Sequence, residues 1–205
     1  MAIFRIRSKY EQISIVLGRL CLKLGLTPDV LTLTGIPASV AAAYALAKGY
    51  FVWSLVAVCV AGVVDVLDGA TARAGKTCNR FGTVFDHVVD RYSEFIILTG
   101  AMLSDRTAPI WAMFAISGMV MASYVRATAE SIGRMEECTV GLVGRVEKFL
   151  LLIAGIVVEA SPLTFAGLQW ALVAVGTLSH ITALQRLFYA RRIILESNVI
   201  QEGCE

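Results

Sequence analysis

The sequence predicts an all-α integral membrane protein, in which an N-terminal amphipathic interfacial helix precedes six transmembrane helices. The first observation is composition: the 205-residue chain is 57% hydrophobic, only 17% of its residues are charged, and its mean hydropathy is +0.72. A soluble domain usually carries about a quarter charged residues. The second is a series of long apolar runs, and the third is a bias in where basic residues fall between those runs.

Residues 1–26 are expected to form the amphipathic helix. Apolar residues recur every three or four positions, and most basic residues lie elsewhere on the helical wheel. The apolar positions are Ile6, Tyr10, Ile13, Leu17, Leu20 and Leu24. This pattern is typical of a helix lying on an anionic membrane surface; a half-buried helix of a soluble domain is the alternative. The stretch lacks the long apolar run of a signal peptide.

Six apolar runs follow and predict six spans in a transmembrane core over residues 27–192. The runs are Val30–Ala47, Tyr50–Val64, Asp86–Ser104, Thr107–Val125, Val146–Val158 and Ala160–Gln185. A bilayer core needs about 20 helical residues, so the second, third and fifth runs reach full length only if the charged turns beside them are helical. Residues 193–205 would form a cytoplasmic tail, and residues 1–205 a single domain.

The distribution of basic residues predicts a multi-pass protein of the cell membrane with both termini in the cytoplasm. With the N-terminus inside, only Lys48 and Arg106 of the 18 lysines and arginines fall on the outer side, which leaves 16 inside. This orientation places the acidic stretch that joins the second and third runs at the cytoplasmic face.

Composition also excludes several kinds of function. The net charge is only +2, and no basic stretch is interleaved with aromatic residues, so nucleic acid is not an expected partner. The five cysteines are scattered and form no CxxC pair, which argues against a disulfide framework or a thiolate zinc site.

Four aspartates are the candidate metal ligands. Asp65 and Asp68 are three residues apart, Asp86 and Asp90 are four apart, and each pair shares one face of a helix. If the polar segment 74–81 turns the chain back, the two acidic faces converge near the cytoplasmic boundary. Hard carboxylate oxygens select Mg²⁺, Mn²⁺ or Ca²⁺, and two such ions can clamp a phosphoryl group.

The alternative is a structural salt-bridge cluster of these aspartates with Arg73, Arg80 and Arg91. Ionisable residues inside membranes are more often functional, which favours the metal site. Gly69 and Gly82 leave room for a ligand against the backbone, and the guanidinium of Arg73 suits a phosphate oxygen.

The spacing of eight residues resembles the signature of the CDP-alcohol phosphotransferases, also called CDP-alcohol phosphatidyltransferases. The matching residues are Asp65, Asp68, Gly69, Ala72, Arg73, Gly82, Asp86 and Asp90. The resemblance implies an enzyme of phospholipid biosynthesis that transfers the phosphatidyl-type group of a CDP-linked lipid to an alcohol and releases CMP. It also implies two bound ions, Mg²⁺ or Mn²⁺, and a homodimer, for which Gly100 and Gly118 could allow close packing.

The same resemblance assigns roles to individual residues. Asp65, Asp68 and Asp86 would bind metal, and Asp90 would complete the metal site or accept the proton of the attacking hydroxyl. The nucleotide would contact two of the metal-binding aspartates and six other residues. That nucleotide-binding set is Asp29, Thr32, Asp65, Asp68, Gly69, Arg73, Asn79 and Gly82. For Asp29, a helix N-cap is the alternative.

Two downstream segments, SYVRATAESIG and VGLVGRVEKFLLL, resemble the branch that makes phosphoinositol lipids from inositol 1-phosphate in bacteria and archaea. A phosphorylated acceptor needs a cationic pocket, which Ser123, Arg126, Arg145 and Arg186 could form beside the metals. Alternatively, these arginines anchor the chain by reaching lipid phosphates. Thr128 and Gly144 depart from the branch pattern, so glycerol 3-phosphate, serine or a soluble inositol compound are the alternative acceptors. The donor would be CDP-diacylglycerol or CDP-archaeol.

Two readings lie outside this reaction: a divalent-cation carrier that uses the same acids, and a catalytically silent membrane partner. A carrier should continue its polar path across the membrane, and the first, second, fourth and sixth runs offer no acidic path. The complete signature argues against a silent partner.

Overall fold

The computed structural model describes residues 14–77, 79–135 and 137–202, and over these ranges the secondary structure is helical with no strand. We label the helices α1 to α7. They are α1 (residues 14–23), α2 (Pro28–Ala47), α3 (Phe51–Gly75), α4 (Arg80–Met102), α5 (Pro109–Ser131), α6 (Arg145–Ala160) and α7 (Gly167–Glu202). The predicted all-α class is confirmed.

Four of these helices are long and apolar enough to cross a membrane, judged by length and composition. They are α2, α3, α5 and the part of α7 that covers Gly167–Glu196. Helix α6 has only 16 residues, and α4 carries Asp86, Asp90, Arg91 and Glu94 in its interior. A multi-pass membrane protein is therefore supported, while six spans remain a prediction.

The predicted amphipathic helix is only partly within the described ranges. Residues 1–13 lie outside them, so the pattern over residues 1–26 stays a prediction. In α1, the apolar side chains of Val16, Leu17 and Leu20 are exposed, as is Leu24 in the turn that follows, whereas Cys21 is buried.

The described residues divide into two compact units after Gly100. In the first unit, α2 packs along α3. Helix α2 begins at Pro28 because Thr27 is its N-cap: the Thr27 hydroxyl accepts a hydrogen bond from the Val30 N–H at 3.4 Å. Asp29 lies in the first turn and is exposed, so the N-cap alternative for this residue is wrong.

The charged turns beside the second and third apolar runs are helical, as their length required. Helix α3 continues past Val64 to Gly75, and Lys76 then adopts a left-handed conformation (φ 53°) that ends the helix. Helix α4 starts at Arg80. This short elbow brings the last turns of α3 close to the first turns of α4.

Close backbone contacts in the first unit depend on two glycines. A Cβ on Gly18 of α1 would overlap the carbonyl of Ala70 in α3, and a Cβ on Gly100 of α4 would overlap the backbone of Ala43 in α2. Gly100 is therefore used for packing within the chain rather than being available to a partner.

In the second unit, α5 and α6 each pack along α7. Gly118 again serves packing within the chain, because a Cβ there would lie 2.9 Å from the Gly176 carbonyl oxygen of α7. The start of α7 is held by Glu159, whose carboxylate accepts from the Leu168 N–H at 3.1 Å and lies 3.9 Å from Arg106.

Candidate active site

Three predicted metal ligands converge in the first unit. One carboxylate oxygen from each of Asp65, Asp68 and Asp86 lies within 4.8 Å of the others. The α3–α4 elbow produces this arrangement, since two ligands stand on the last turns of α3 and the third on the second turn of α4. Asp68 is buried, with 5% of its surface exposed. Three acids held this close repel one another unless a cation lies between them.

The donor set of this cluster fits a hard divalent cation. Its three ligands are carboxylates, and Mg²⁺ and Mn²⁺ prefer such oxygen donors, whereas zinc and copper sites usually include nitrogen or sulfur. Arg91, which the salt-bridge alternative assigned to these aspartates, forms an ion pair with Glu94 on its own helix at 2.5 Å.

Thr32 fixes the orientation of one ligand. Its hydroxyl donates to the Oδ2 atom of Asp68 at 2.7 Å, and both residues are buried. The same hydroxyl lies 3.0 Å from the Pro28 carbonyl oxygen in its own helix. The family resemblance implies a nucleotide contact for Thr32. In the structure its hydroxyl bonds to Asp68, a predicted metal ligand, and the nucleotide contact stays a prediction.

Asp90 stands one turn after Asp86 on α4 and is buried, with 6% of its surface exposed. It lies outside the set of three carboxylates that meet within 4.8 Å. Both roles that the resemblance implied for Asp90, completing the metal site and accepting the hydroxyl proton, stay predictions.

Each glycine of the signature has the polar side chain of a nearby residue beside it. A Cβ on Gly69 would lie 3.2 Å from an Arg73 guanidinium nitrogen, so Arg73 folds back over Gly69 one turn earlier on α3. At the start of α4, the Asn79 side-chain oxygen accepts from the Gly82 N–H at 2.7 Å. Asn79 therefore caps α4 and orders its first turn, and its predicted nucleotide contact is untested.

The four predicted acceptor-binding residues lie in the second unit, where three of them bond to their own helix, to a neighbouring helix or to the loop before α6. Arg126 donates to Glu130 at 2.9 Å, and the Ser123 hydroxyl donates to the Met119 carbonyl at 3.1 Å. Arg186 donates to the Ala122 carbonyl at 2.6 Å and to the Val140 carbonyl at 2.9 Å. Arg145 is the exposed first residue of α6.

Sequence reasoning missed two features of this second group. Lys148, which it counted only among the basic residues facing the cytoplasm, is buried with 8% of its surface exposed, one turn after Arg145 on α6. The spacing of three residues could have indicated that these two cations share a face. It also missed Glu130, which accepts from the Cys138 N–H at 3.0 Å as well as from Arg126.

Comparison with known proteins identifies the family. The family model described as CDP-alcohol phosphatidyltransferase matches residues 25–184, which contain the α3–α4 acidic cluster. The archaetidylinositol phosphate synthase of Methanothermobacter thermautotrophicus is 33% identical over 174 residues, covering 82% of this chain and 84% of the relative.

Two crystal structures of the Mycobacterium tuberculosis phosphatidylinositol phosphate synthase are similar in fold. One contains CDP-DAG, is 30% identical with a TM-score of 0.77, and is matched over 87% of this chain and 94% of its own. The other contains manganese and citrate, is 29% identical with a TM-score of 0.77, and is matched over 86% and 88%. These findings confirm the resemblance read from the signature: the chain belongs to the CDP-alcohol phosphatidyltransferase family and is an enzyme of that class.

Proposed function

We propose that this enzyme transfers the phosphatidyl-type group of a CDP-activated lipid to inositol 1-phosphate and releases CMP. The observation that carries the proposal is the convergence of Asp65, Asp68 and Asp86 within 4.8 Å at the family signature. The choice of acceptor is supported by the similar proteins, which are named for inositol phosphate products.

Asp65, Asp68 and Asp86 would hold Mg²⁺ or Mn²⁺, with two ions as the proposed number. When bound, such ions supply positive charge to the phosphoryl oxygens and to the departing phosphate. Thr32 keeps the Asp68 carboxylate in one orientation through its 2.7 Å hydrogen bond. Loss of an outer contact of this kind typically lowers metal affinity or activity by about 10- to 100-fold.

The nucleotide is proposed to lie against Gly69 and Gly82, with the Arg73 guanidinium on a phosphate oxygen. Arg73 already lies over Gly69: one of its guanidinium nitrogens is 3.2 Å from the position that a Cβ on Gly69 would take. A guanidinium presents paired donors that suit phosphate geometry. Asp29, exposed in the first turn of α2, remains a proposed contact to the cytidine part.

Asp90 is proposed as the general base. The acceptor hydroxyl oxygen forms a new bond to the phosphorus that carries the lipid, while the bond from that phosphorus to the CMP oxygen breaks. The hydroxyl proton passes to the Asp90 carboxylate, and CMP leaves with the bonding electron pair. Asp90 is a buried carboxylate one turn after the predicted metal ligand Asp86, and a carboxylate within reach of the acceptor hydroxyl is suited to this proton transfer.

The acceptor phosphate is proposed to bind Arg126, Arg145 and Arg186, with Ser123 as a hydroxyl contact. Arg145 is exposed at the N-terminus of α6, where backbone N–H groups and the helix dipole also favour an anion.

The molecular setting is proposed as a homodimer in the cell membrane, with six spans, both termini inside and the reaction at the cytoplasmic face. The orientation is supported by the basic-residue count, in which only Lys48 and Arg106 of 18 fall outside.

An acceptor panel tests the proposal. CMP release by the purified enzyme would be measured with CDP-diacylglycerol or CDP-archaeol, with inositol 1-phosphate, inositol, glycerol 3-phosphate or serine, and with and without Mn²⁺. We expect metal-dependent release that is fastest with inositol 1-phosphate. A preference for another alcohol would refute inositol 1-phosphate as the acceptor. If no alcohol in the panel gave metal-dependent CMP release, the transfer reaction itself would be refuted.

A further inference from the structure

The loop that joins α5 to α6 is held against α7 by side chains from one stretch of that helix. Gln185 accepts a hydrogen bond from the Leu142 N–H at 3.0 Å, and the Thr182 hydroxyl accepts from the Val143 N–H at 3.4 Å. Arg186 donates to the Val140 carbonyl at 2.9 Å. We call Thr182, Gln185 and Arg186 the α7 clamp.

Glycine at position 141 lets the loop approach this clamp closely. Gly141 has φ 153°, a conformation that other residues rarely adopt, and a Cβ there would overlap the Thr182 methyl group. Thr182 is fully buried and Val143 is 9% exposed. The loop is therefore fitted to α7 on both sides of Gly141 and is not a loose connection.

The last loop residue that the α7 clamp holds is Val143, which lies two residues before Arg145. Between them, the Gly144 N–H donates to the Glu147 carboxylate at 2.9 Å, which closes the first turn of α6. Because Val143 is bonded to α7 and Gly144 to α6, the position of the first residue of α6 follows directly from the clamp. A displacement of about 1 Å in a binding group can be costly for an enzyme.

We propose that Gln185, supported by Thr182, is a positioning residue for Arg145 and thereby sets the affinity of the enzyme for the phosphate of its acceptor. The inference rests on the proposed function, in which Arg145 binds that phosphate. Arg186 takes part in the same clamp, but as a proposed phosphate ligand it cannot separate positioning from direct binding. Gln185 and Thr182 can.

The test compares Gln185→Leu with the wild type in the purified full-length enzyme. Leucine has nearly the same size as glutamine but cannot accept the Leu142 N–H. We expect Gln185→Leu to raise the KM for inositol 1-phosphate by about five- to tenfold, the cost of one lost hydrogen bond. The KM for the CDP-lipid and kcat should stay within about twofold.

The same helix offers a matched control. The Gln169 side chain accepts from the Ala108 N–H at 3.3 Å near the start of α7, so it makes the same kind of bond to a different loop. Gln169→Leu should lower thermal stability about as much as Gln185→Leu without changing the acceptor KM. Thr182→Val, which removes the second bond of the clamp, should shift the acceptor KM in the same direction as Gln185→Leu.

Two outcomes would overturn the inference: an unchanged acceptor KM in Gln185→Leu, or an equal rise in both KM values. Failure of the proposed function would appear instead in the wild type. If the wild type prefers glycerol 3-phosphate, the proposed acceptor is wrong and the same KM comparison is made with that phosphate. If it prefers an acceptor without phosphate, both proposals fall.

Discussion

The hydrogen bond between Thr32 and Asp68 is the most specific residue-level feature of the metal cluster. It joins positions 36 residues apart and lies between two buried groups. Removing the hydroxyl leaves a buried carboxylate without one of its donors. We therefore expect Thr32→Val to weaken apparent Mn²⁺ affinity by about tenfold or more, as measured by metal titration of CMP release.

Thr32→Ser should recover most of that affinity, because serine retains the hydroxyl. Thr34→Val is the matched control: its hydroxyl donates at 2.6 Å to the Leu31 carbonyl of its own helix. Equal metal affinities in Thr32→Val and Thr34→Val would show that the Thr32 bond has no role in holding the metal ligand.

Asp90 offers a second residue-level prediction, since it is buried on α4 but outside the cluster of three carboxylates. Asparagine keeps the size of the side chain and removes its capacity to accept a proton. We expect Asp90→Asn to lower kcat by a factor of about 10² or more while nucleotide binding changes little. The measurements are steady-state CMP release and equilibrium binding of a CDP-lipid.

Asp68→Asn is the comparison for that experiment. Because Asp68 belongs to the metal cluster, its substitution should weaken both metal and nucleotide binding. Normal turnover by Asp90→Asn, or a loss of nucleotide binding as large as that of Asp68→Asn, would contradict the general-base assignment.

At the scale of elements, the crossing of α1 over α3 ties the N-terminal helix to the active site. The backbones meet at Gly18 and Ala70, and Ala70 directly follows the signature pair Asp68 and Gly69. A methyl group at position 18 must displace one helix. We expect Gly18→Ala to destabilise the enzyme by about 1–3 kcal/mol and to lower kcat/KM for the CDP-lipid.

Gly35→Ala in α2 is the control for this substitution. A Cβ at Gly35 would have only the Ser93 hydroxyl near it, at 4.0 Å, so a methyl group fits. Thermal unfolding and CMP release would be measured for both variants. Wild-type kcat/KM in Gly18→Ala would mean that the position of α1 does not affect the signature residues.

The sequence predicted the helices well where apolar length or spacing decided the outcome. The aspartate spacings placed Asp65, Asp68 and Asp86 on faces that do meet, because helical periodicity and a short elbow leave few other arrangements. The start of the last helix was less predictable. The run from Ala160 contains Pro162, and α7 begins only at Gly167, where Glu159 accepts the Leu168 N–H.

Contacts over long sequence separations could not be predicted. Nothing local to Thr32 indicates Asp68, and nothing local to Gln185 indicates Leu142, 43 residues away. The N-cap of α2 shows the same limit over a short distance. Thr27 and Asp29 are both good capping residues, and Pro28 at the first helical position decides in favour of Thr27.

For the whole molecule, orientation in the membrane is set by charge, and α3 provides a direct test of it. This helix has 25 residues, which corresponds to about 37 Å at 1.5 Å per residue and exceeds a bilayer core of about 30 Å. Lys48 precedes it and Lys76 follows it, and both side chains are exposed. The two lysines should therefore face opposite sides of the membrane.

We expect a membrane-impermeant maleimide to label Lys48→Cys in intact cells and Lys76→Cys only after the membrane is opened. Both substitutions would be made in an active variant that lacks the five native cysteines. The physical reason is that the proposed orientation leaves only Lys48 and Arg106 outside. The reverse orientation would put the other 16 basic residues outside, against the bias that orients membrane proteins. The reverse labelling pattern would place the aspartate cluster on the outer face, away from cytoplasmic nucleotides, and would overturn the proposed orientation.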